Sequence, residues 1–238
     1  MNDNRRRSQQ WQRLVGAFFA PILGSTPEAW AEGNRAVSAS LFEPDSWRRR
    51  LRAAPDYAAF ERVYLLDWLG QMCRLVGVPM PPEEESLELA RQADDSIPRR
   101  VNAAFPGATE AIRTLHARGY PLCTASGESS VELAGYLDGM GVRECFGRLY
   151  GSDLIDAFKA GPEFYERIFA DATVAPSDAV VVDDSPEALG WAAQTGARTV
   201  LVDSRPHPDA WRVPSGCLRI GSLVELPLIL ERLNPHSS

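Results

Sequence analysis

Apolar positions recur at helical spacing through residues 1–100, and the pattern then changes to alternating helix and strand. Trp11, Leu14, Val15, Phe18 and Phe19 fall at i, i+3, i+4, i+7 and i+8, the stripe of an amphipathic helix packed on something. Ser25-Thr26-Pro27-Glu28 reads as a second helix start. Thr26 suits the N-cap, Pro27 the first helical position and Glu28 the positive end of the dipole. That helix is expected to reach about Leu41, before Pro44. A third is expected from about Asp56 to Val76, with Tyr57, Phe60, Tyr64, Trp68, Met72 and Leu75 on one face, stopping at Gly77 and Pro79. Pro81-Pro82 opens a short acidic segment from Glu83 to about Ala93. The Arg48-Arg49-Arg50 run reads as a solvated helix end rather than a ligand site.

From about Val101 the segments alternate. Pro106 to Arg118 is expected to be helical and closed by Gly119, Tyr120–Thr124 a short strand, and Glu128 to Asp138 a helix. Gly147–Gly151 reads as a strand and Pro162 to Ala170 as a helix. Ala179–Asp183 is expected to be a buried parallel strand because its apolar run is continuous. Pro186 to Thr195 is expected to be a helix, Arg198–Val202 a second buried strand, and Leu218 to Leu233 a short strand followed by a closing helix. Such alternation predicts a doubly wound, Rossmann-like α/β parallel sheet, with sites at the carboxyl ends of its strands. The domain division expected is 1–100 for an all-α part and 101–238 for the α/β core.

Composition narrows the function classes. Of 238 residues, 45% are hydrophobic and 24% charged, the mix of a packed globular chain. With 25 basic and 32 acidic residues the net charge is −7, which argues against a nucleic-acid partner. Cys73, Cys123, Cys145 and Cys217 lie far apart, with no CxxC pair, so neither a thiolate metal site nor a disulfide framework is expected. The apolar run Leu14–Leu23 is too short to span a bilayer. Preceded by Arg5-Arg6-Arg7 and followed by Ala29-Trp30-Ala31, it imitates a secretory signal, but its helical stripe favours packing. The expectation is a cytoplasmic chain without a membrane partner. One residue count is sharper: of the 25 basic residues, 24 are arginine and the single lysine is Lys159. A compact ammonium fits a tight anionic site that a planar guanidinium does not; chance in an arginine-rich chain is the competing explanation.

Three polar features fall where a site at the carboxyl ends of the strands is expected. Thr124 ends one strand and leads into Ala125-Ser126-Gly127; Asp183-Asp184-Ser185-Pro186 ends another; Lys159 opens the Pro162 helix. Adjacent carboxylates repel and raise each other's pKa, a cost that a bound Mg²⁺ offsets with hard oxygen ligands. A hydroxyl with free backbone N–H groups at a helix start, plus one ammonium, makes a phosphate cradle. The simpler readings are that Asp183-Asp184 caps the next helix, that Thr124 and Ser126 are turn residues, and that Lys159 is a surface charge.

The order Thr124, Lys159, Asp183-Asp184 resembles the second, third and fourth motifs of the haloacid-dehalogenase superfamily of phosphatases and related hydrolases. The most specific part runs from Val180-Val181-Val182-Asp183-Asp184-Ser185-Pro186 through Ala192–Ala197 to Thr199–Asp203, and Lys159–Tyr165 is similar to the lysine motif. The resemblance covers about Phe105 to Asp203, and the N-terminal helices resemble the family's helical cap. It implies a Mg²⁺-dependent phosphatase acting on a small phosphorylated metabolite. Thr124 and Ala125 would hold phosphate, Lys159 would neutralise nucleophile and phosphate, and Asp183 and Asp184 would hold the metal. A non-catalytic module that binds phosphate and Mg²⁺, and a haloacid dehalogenase proper, are the alternatives.

The sequence departs from the family in one respect. The first motif, an apolar strand ending in Asp-x-Asp that supplies the nucleophile, is missing: the chain opens Met1-Asn2-Asp3-Asn4 and enters a helical stripe, and Asp94-Asp95 follows a helical segment. In the family that strand lies between those represented here by Tyr120–Thr124 and Ala179–Asp183. The expectation is a true start upstream. Otherwise Leu14–Leu23 would fill the slot as a strand, or the two flanking strands would pair across it. An unfilled slot favours association between copies.

Overall fold

A computed structural model describes Met1, residues 3–203 and residues 213–233. The chain forms two compact units: Asn2–Ala103 with Ser129–Gly141, and Met1 with Ala104–Glu128 and Val142–Ser238.

The first unit is helical. It holds α1 (Asn4–Leu23), α2 (Pro27–Leu41), α3 (Pro44–Ala53), α4 (Tyr57–Val76) and α5 (Glu83–Ser96). The Asp3 carboxylate caps α1 by accepting from Arg5 N at 2.9 Å and Arg6 N at 3.1 Å. Thr26 Oγ1 caps α2 by accepting from Ala29 N, as its position before Pro27 predicts. The α1 stripe buries Leu14, Val15 and Phe19. Phe19 stacks on Trp30 with ring centroids 5.1 Å apart and meets Trp68 edge-on at 5.7 Å. Burial of each such ring contributes about 1.5–3 kcal/mol. The two indoles keep their polar ends satisfied: Trp30 Nε1 donates to Gly24 O, and Trp68 Nε1 donates to Asn34 Oδ1. Gly16 lets α1 close on α2, since a Cβ there would lie 2.2 Å from Pro27 O. The Arg48–Arg50 run belongs to α3, a separate helix that Glu43 caps and that buries no residue.

The same unit includes α7 (Ser130–Gly139), which comes after the switch to α/β patterning in the sequence. Gly139 holds it close, since a Cβ there would lie 2.4 Å from Val101 O. Arg99 bridges Asp95 and Asp138.

The second unit contains α6 (Ala108–Ala117), β1 (Leu122–Ala125), β2 (Phe146–Tyr150), α8 (Pro162–Ala172), β3 (Val180–Asp183), α9 (Pro186–Gln194), β4 (Arg198–Val202), β5 (Leu218–Ile220) and α10 (Leu226–Leu233). Every strand pairing is parallel, and helices alternate with strands, so the core is α/β and Rossmann-like. The strands form two ladders, β1-β2 and β3-β4-β5.

Neither alternative for filling the slot is seen among the described residues, and one burial expectation fails. Among the described residues β1 and β3 do not pair across the slot, and Leu14–Leu23 is not its strand, because it lies within α1. Nor is Val180–Val182 a buried strand: all of β3 is half-buried, whereas Thr199, Val200 and Leu201 of β4 are buried. β4 has a partner on each side, whereas among the described residues β3 pairs with β4 alone.

Candidate active site

The site sits where β1 and β3 end. Lys159 Nζ donates to Ala125 O at 2.8 Å and to Asp183 Oδ2 at 2.6 Å. The side chains of Lys159 and Asp183 are only 17% and 12% exposed, so this ion pair is largely shielded from water. One ammonium therefore joins the last residues of the two ladders. The loop that carries it is held from α8. Arg167 Nη1 donates to Ile155 O at 3.1 Å and Asp156 O at 2.8 Å, while its other nitrogens engage Glu163. Asp156 adopts a left-handed backbone, φ 45°, in this turn.

Asp183 is held at both oxygens. Besides Lys159, it accepts from Ser185 N through Oδ1 at 2.8 Å. Ser185, not an aspartate, caps α9 by accepting from Ala188 N at 3.2 Å. Asp184 is exposed at the same strand end. Thr124 is buried, and its hydroxyl donates to Tyr150 O at 3.3 Å. Ser126 N donates to that same carbonyl, and Ser126 Oγ accepts from Glu128 N at 3.3 Å, the geometry of a turn residue. The structure thus brings Ala125, Lys159 and Asp183 into direct contact and sets Asp184 beside them. It places Thr124 on the same strand with its hydroxyl directed into the sheet.

Tyr165 had no role in the sequence reading. It is 1% exposed, its hydroxyl is without a partner among the described residues, and burial followed by the nearby Asp183 charge pushes its pKa up. Ser185 and Arg167 were also missed. A Ser-Pro pair before an apolar helix is a cap signal and could have marked Ser185; an Arg that reaches back to loop carbonyls leaves no sequence signal.

The donor chemistry has a clear bias. Lys159 has three N–H donors and uses two on the partners described. Mg²⁺ is bound through one or two carboxylates together with waters and substrate phosphate. Asp184 and Asp183 are hard-oxygen donors of that kind, Asp184 exposed and Asp183 engaged. Among the described residues no group of three or more His, Cys, Asp or Glu side chains converges, so these carboxylates are not a closed protein cage. Among the same residues no helix is long and apolar enough to cross a membrane.

The family model for haloacid dehalogenase-like hydrolases matches residues 23–196, well over half of the chain. A bifunctional riboflavin kinase/FMN phosphatase from Arabidopsis thaliana is 28% identical over 104 residues, 43% of this chain and 27% of that protein. An (S)-2-haloacid dehalogenase from a Pseudomonas species is 26% identical over 131 residues, 55% of this chain and 58% of that enzyme. The chain thus spans less than two thirds of either relative. In three dimensions it is similar to a defluorinating L-2-haloacid dehalogenase, with TM-score 0.65 and 17% identity, covering 95% of this chain and 90% of that one; this likeness shows the fold. The motif order, the α/β core with its helices and the family match agree: the chain belongs to the haloacid dehalogenase-like hydrolases.

Proposed function

We propose that the site is the phosphoryl-binding centre of a Mg²⁺-dependent phosphatase acting on a small phosphorylated metabolite. The observation that carries this reading is the Lys159 ammonium fixed between Ala125 O and Asp183, beside the exposed Asp184. An anionic phosphoryl oxygen meets the third N–H of Lys159, the amide at the end of β1 and, after rotation of its hydroxyl, Thr124. Asp184 and Asp183 would hold Mg²⁺, which supplies neutralisation of the phosphoryl charge. The covalent step needs a carboxylate nucleophile. The family resemblance puts it on an Asp-x-Asp strand that is not in this sequence, so the chain by itself binds phosphate and turns over slower by orders of magnitude.

A dehalogenase is the second reading, favoured by the similarity to two haloacid dehalogenases. Paired carboxylates fit the phosphatase better, because dehalogenation in this family needs no Mg²⁺. The test is a chain extended by an apolar strand ending in Asp-x-Asp, assayed on an aryl phosphate and on 2-haloacids, each with and without chelator. Mg²⁺-dependent phosphate release, abolished by Asp184→Ala, supports the phosphatase. Halide release that survives chelation replaces it with the dehalogenase. Inactivity on both substrates in a folded extended chain overturns the hydrolytic reading.

A further inference from the structure

Lys159 reaches Ala125 O and Asp183 from a loop. Residues 151–161, between β2 and α8, form neither helix nor strand. The start of that loop is fixed locally: Ser152 is buried, its amide donates to Glu128 O, and its carbonyl accepts from Ala157 N at 3.1 Å. Farther on, Ile155 and Ala157 rest on the cluster of Phe164, Tyr165 and Ile168. Asp156 lies between them in the left-handed region, φ 45°. A residue other than glycine holds that conformation only where its surroundings over-determine it.

Arg167 of α8 supplies part of that constraint. Its Nη1 donates to Ile155 O at 3.1 Å and to Asp156 O at 2.8 Å, the carbonyls on either side of the Asp156 Cα. Holding both restrains the torsions of that one residue, and Lys159 follows three residues later. Glu163, one turn earlier on α8, takes the other edge of the guanidinium. One of its oxygens accepts from Arg167 Nε at 3.1 Å and from Nη2 at 2.7 Å. A guanidinium is planar, so an edge fixed on Glu163 aims Nη1 at the loop. The side chains of Arg167 and Glu163 are 45% and 68% exposed, and an ion pair so exposed contributes little to stability.

We propose that Arg167 is a positioning residue for Lys159. Aimed by Glu163, it fixes the turn at Asp156 and with it the reach of the Lys159 ammonium to the ends of β1 and β3. Its effect on a ligand rests on the phosphate-binding reading above; its effect on Lys159 does not. A displacement of about 1 Å in a binding group is enough to weaken what it holds. Two simpler accounts make different predictions. If the packing of Ile155 and Ala157 holds the loop by itself, removing Arg167 changes nothing at Lys159. If Arg167 acts only as a charge, removing it weakens anion binding and removing Glu163 strengthens it. Under the proposal both removals act in the same direction.

Lys159 is the only lysine in the chain, so lysine isotope-labelled at Cε gives a single NMR signal in the full chain. Without ligand, Arg167→Ala and Glu163→Ala are each expected to move and broaden that signal, Arg167→Ala more. Urea unfolding should leave both variants close to the native chain in stability. Calorimetric titration of orthophosphate with Mg²⁺ should then show affinity about tenfold weaker in Arg167→Ala and at least about twofold weaker in Glu163→Ala. An unmoved Lys159 signal in Arg167→Ala overturns the proposal. So does native phosphate binding that both variants keep unchanged, and so does tighter binding in Glu163→Ala, which reduces Arg167 to a charge. A native chain that binds no phosphate defeats the function proposed above, and the Lys159 signal alone then decides this inference.

Discussion

β3 and β4 are neighbours built from nearly the same material. Val180-Val181-Val182 and Thr199-Val200-Leu201 are both short runs rich in β-branched residues, in parallel pairing. Yet the centre of β4 is buried and β3 is only half-buried throughout. The difference is lateral: β4 lies between β3 and β5, and β3 has one partner among the described residues. A continuous apolar run reports that both faces of a strand are covered. It does not report whether both edges are.

Substitutions sharpen that contrast. Val200→Ala empties a fully buried position and should cost about 2–3 kcal/mol in urea unfolding, from lost transfer energy and a residual cavity. Val181→Ala, the same change in β3, should cost about 1 kcal/mol. Equal costs would mean that β3 is as enclosed as β4. At the mouth of the open edge, Lys159→Ala leaves Asp183 without its ammonium and should cost about 1–3 kcal/mol. A double-mutant cycle with Asp183→Ala should return a coupling of about 0.5–3 kcal/mol, and zero coupling would reduce the bridge to a surface charge.

The pH response probes the β1-β2 side. The Tyr150 hydroxyl, and then Arg148, hold the Asp171 carboxyl below its ordinary pKa. A lowered folded-state pKa contributes stability above the ordinary carboxylate value and loses it as pH falls through the folded value. Acid unfolding should therefore steepen below about pH 4, and Asp171→Asn should flatten that limb. An unchanged limb would assign the acid loss to other carboxylates. Thiol reactivity gives the smallest effect, with no change in stability. Burial pushes the Cys73 and Cys145 thiols up, while Cys123 on β1 is exposed. Cys123 should be alkylated first in the native chain; reaction of Cys73 or Cys145 before it would contradict the open edge of β1.

Much of this was legible in the sequence, for identifiable reasons. The stripe from Trp11 to Phe19 and the Thr26-Pro27 cap fixed α1 and α2, because helical spacing and capping are local. The start of α3 at Pro44 was missed because Pro44 reads as a stop after Leu41, whereas here it opens a new helix behind the Glu43 cap, with Trp47 against Phe60 and Tyr64. The placement of α7 with the helical unit depends on the close approach of Gly135 and Gly139 to the Pro98–Val101 segment, a distant contact that local pattern does not encode. At the site, the strand ends of β1 and β3 and the start of α8 brought Ala125, Asp183 and Lys159 together. The direction of the Thr124 hydroxyl depends on the carbonyl that β2 presents to it, and the hold of Arg167 on the Lys159 loop depends on loop geometry. The exposed edge of β3 was illegible for the reason already seen, since pairing is set by what lies beside a strand.

The open edge and the site meet at Asp183, which makes phosphate binding the most direct test of the account. The measurement is a calorimetric titration of orthophosphate into the folded chain, with and without Mg²⁺, repeated for Lys159→Ala and Asp184→Ala. The account predicts saturable binding that strengthens with Mg²⁺. It should vanish in Lys159→Ala, and in Asp184→Ala it should lose its Mg²⁺ dependence. A folded chain that binds no phosphate in either condition would contradict it.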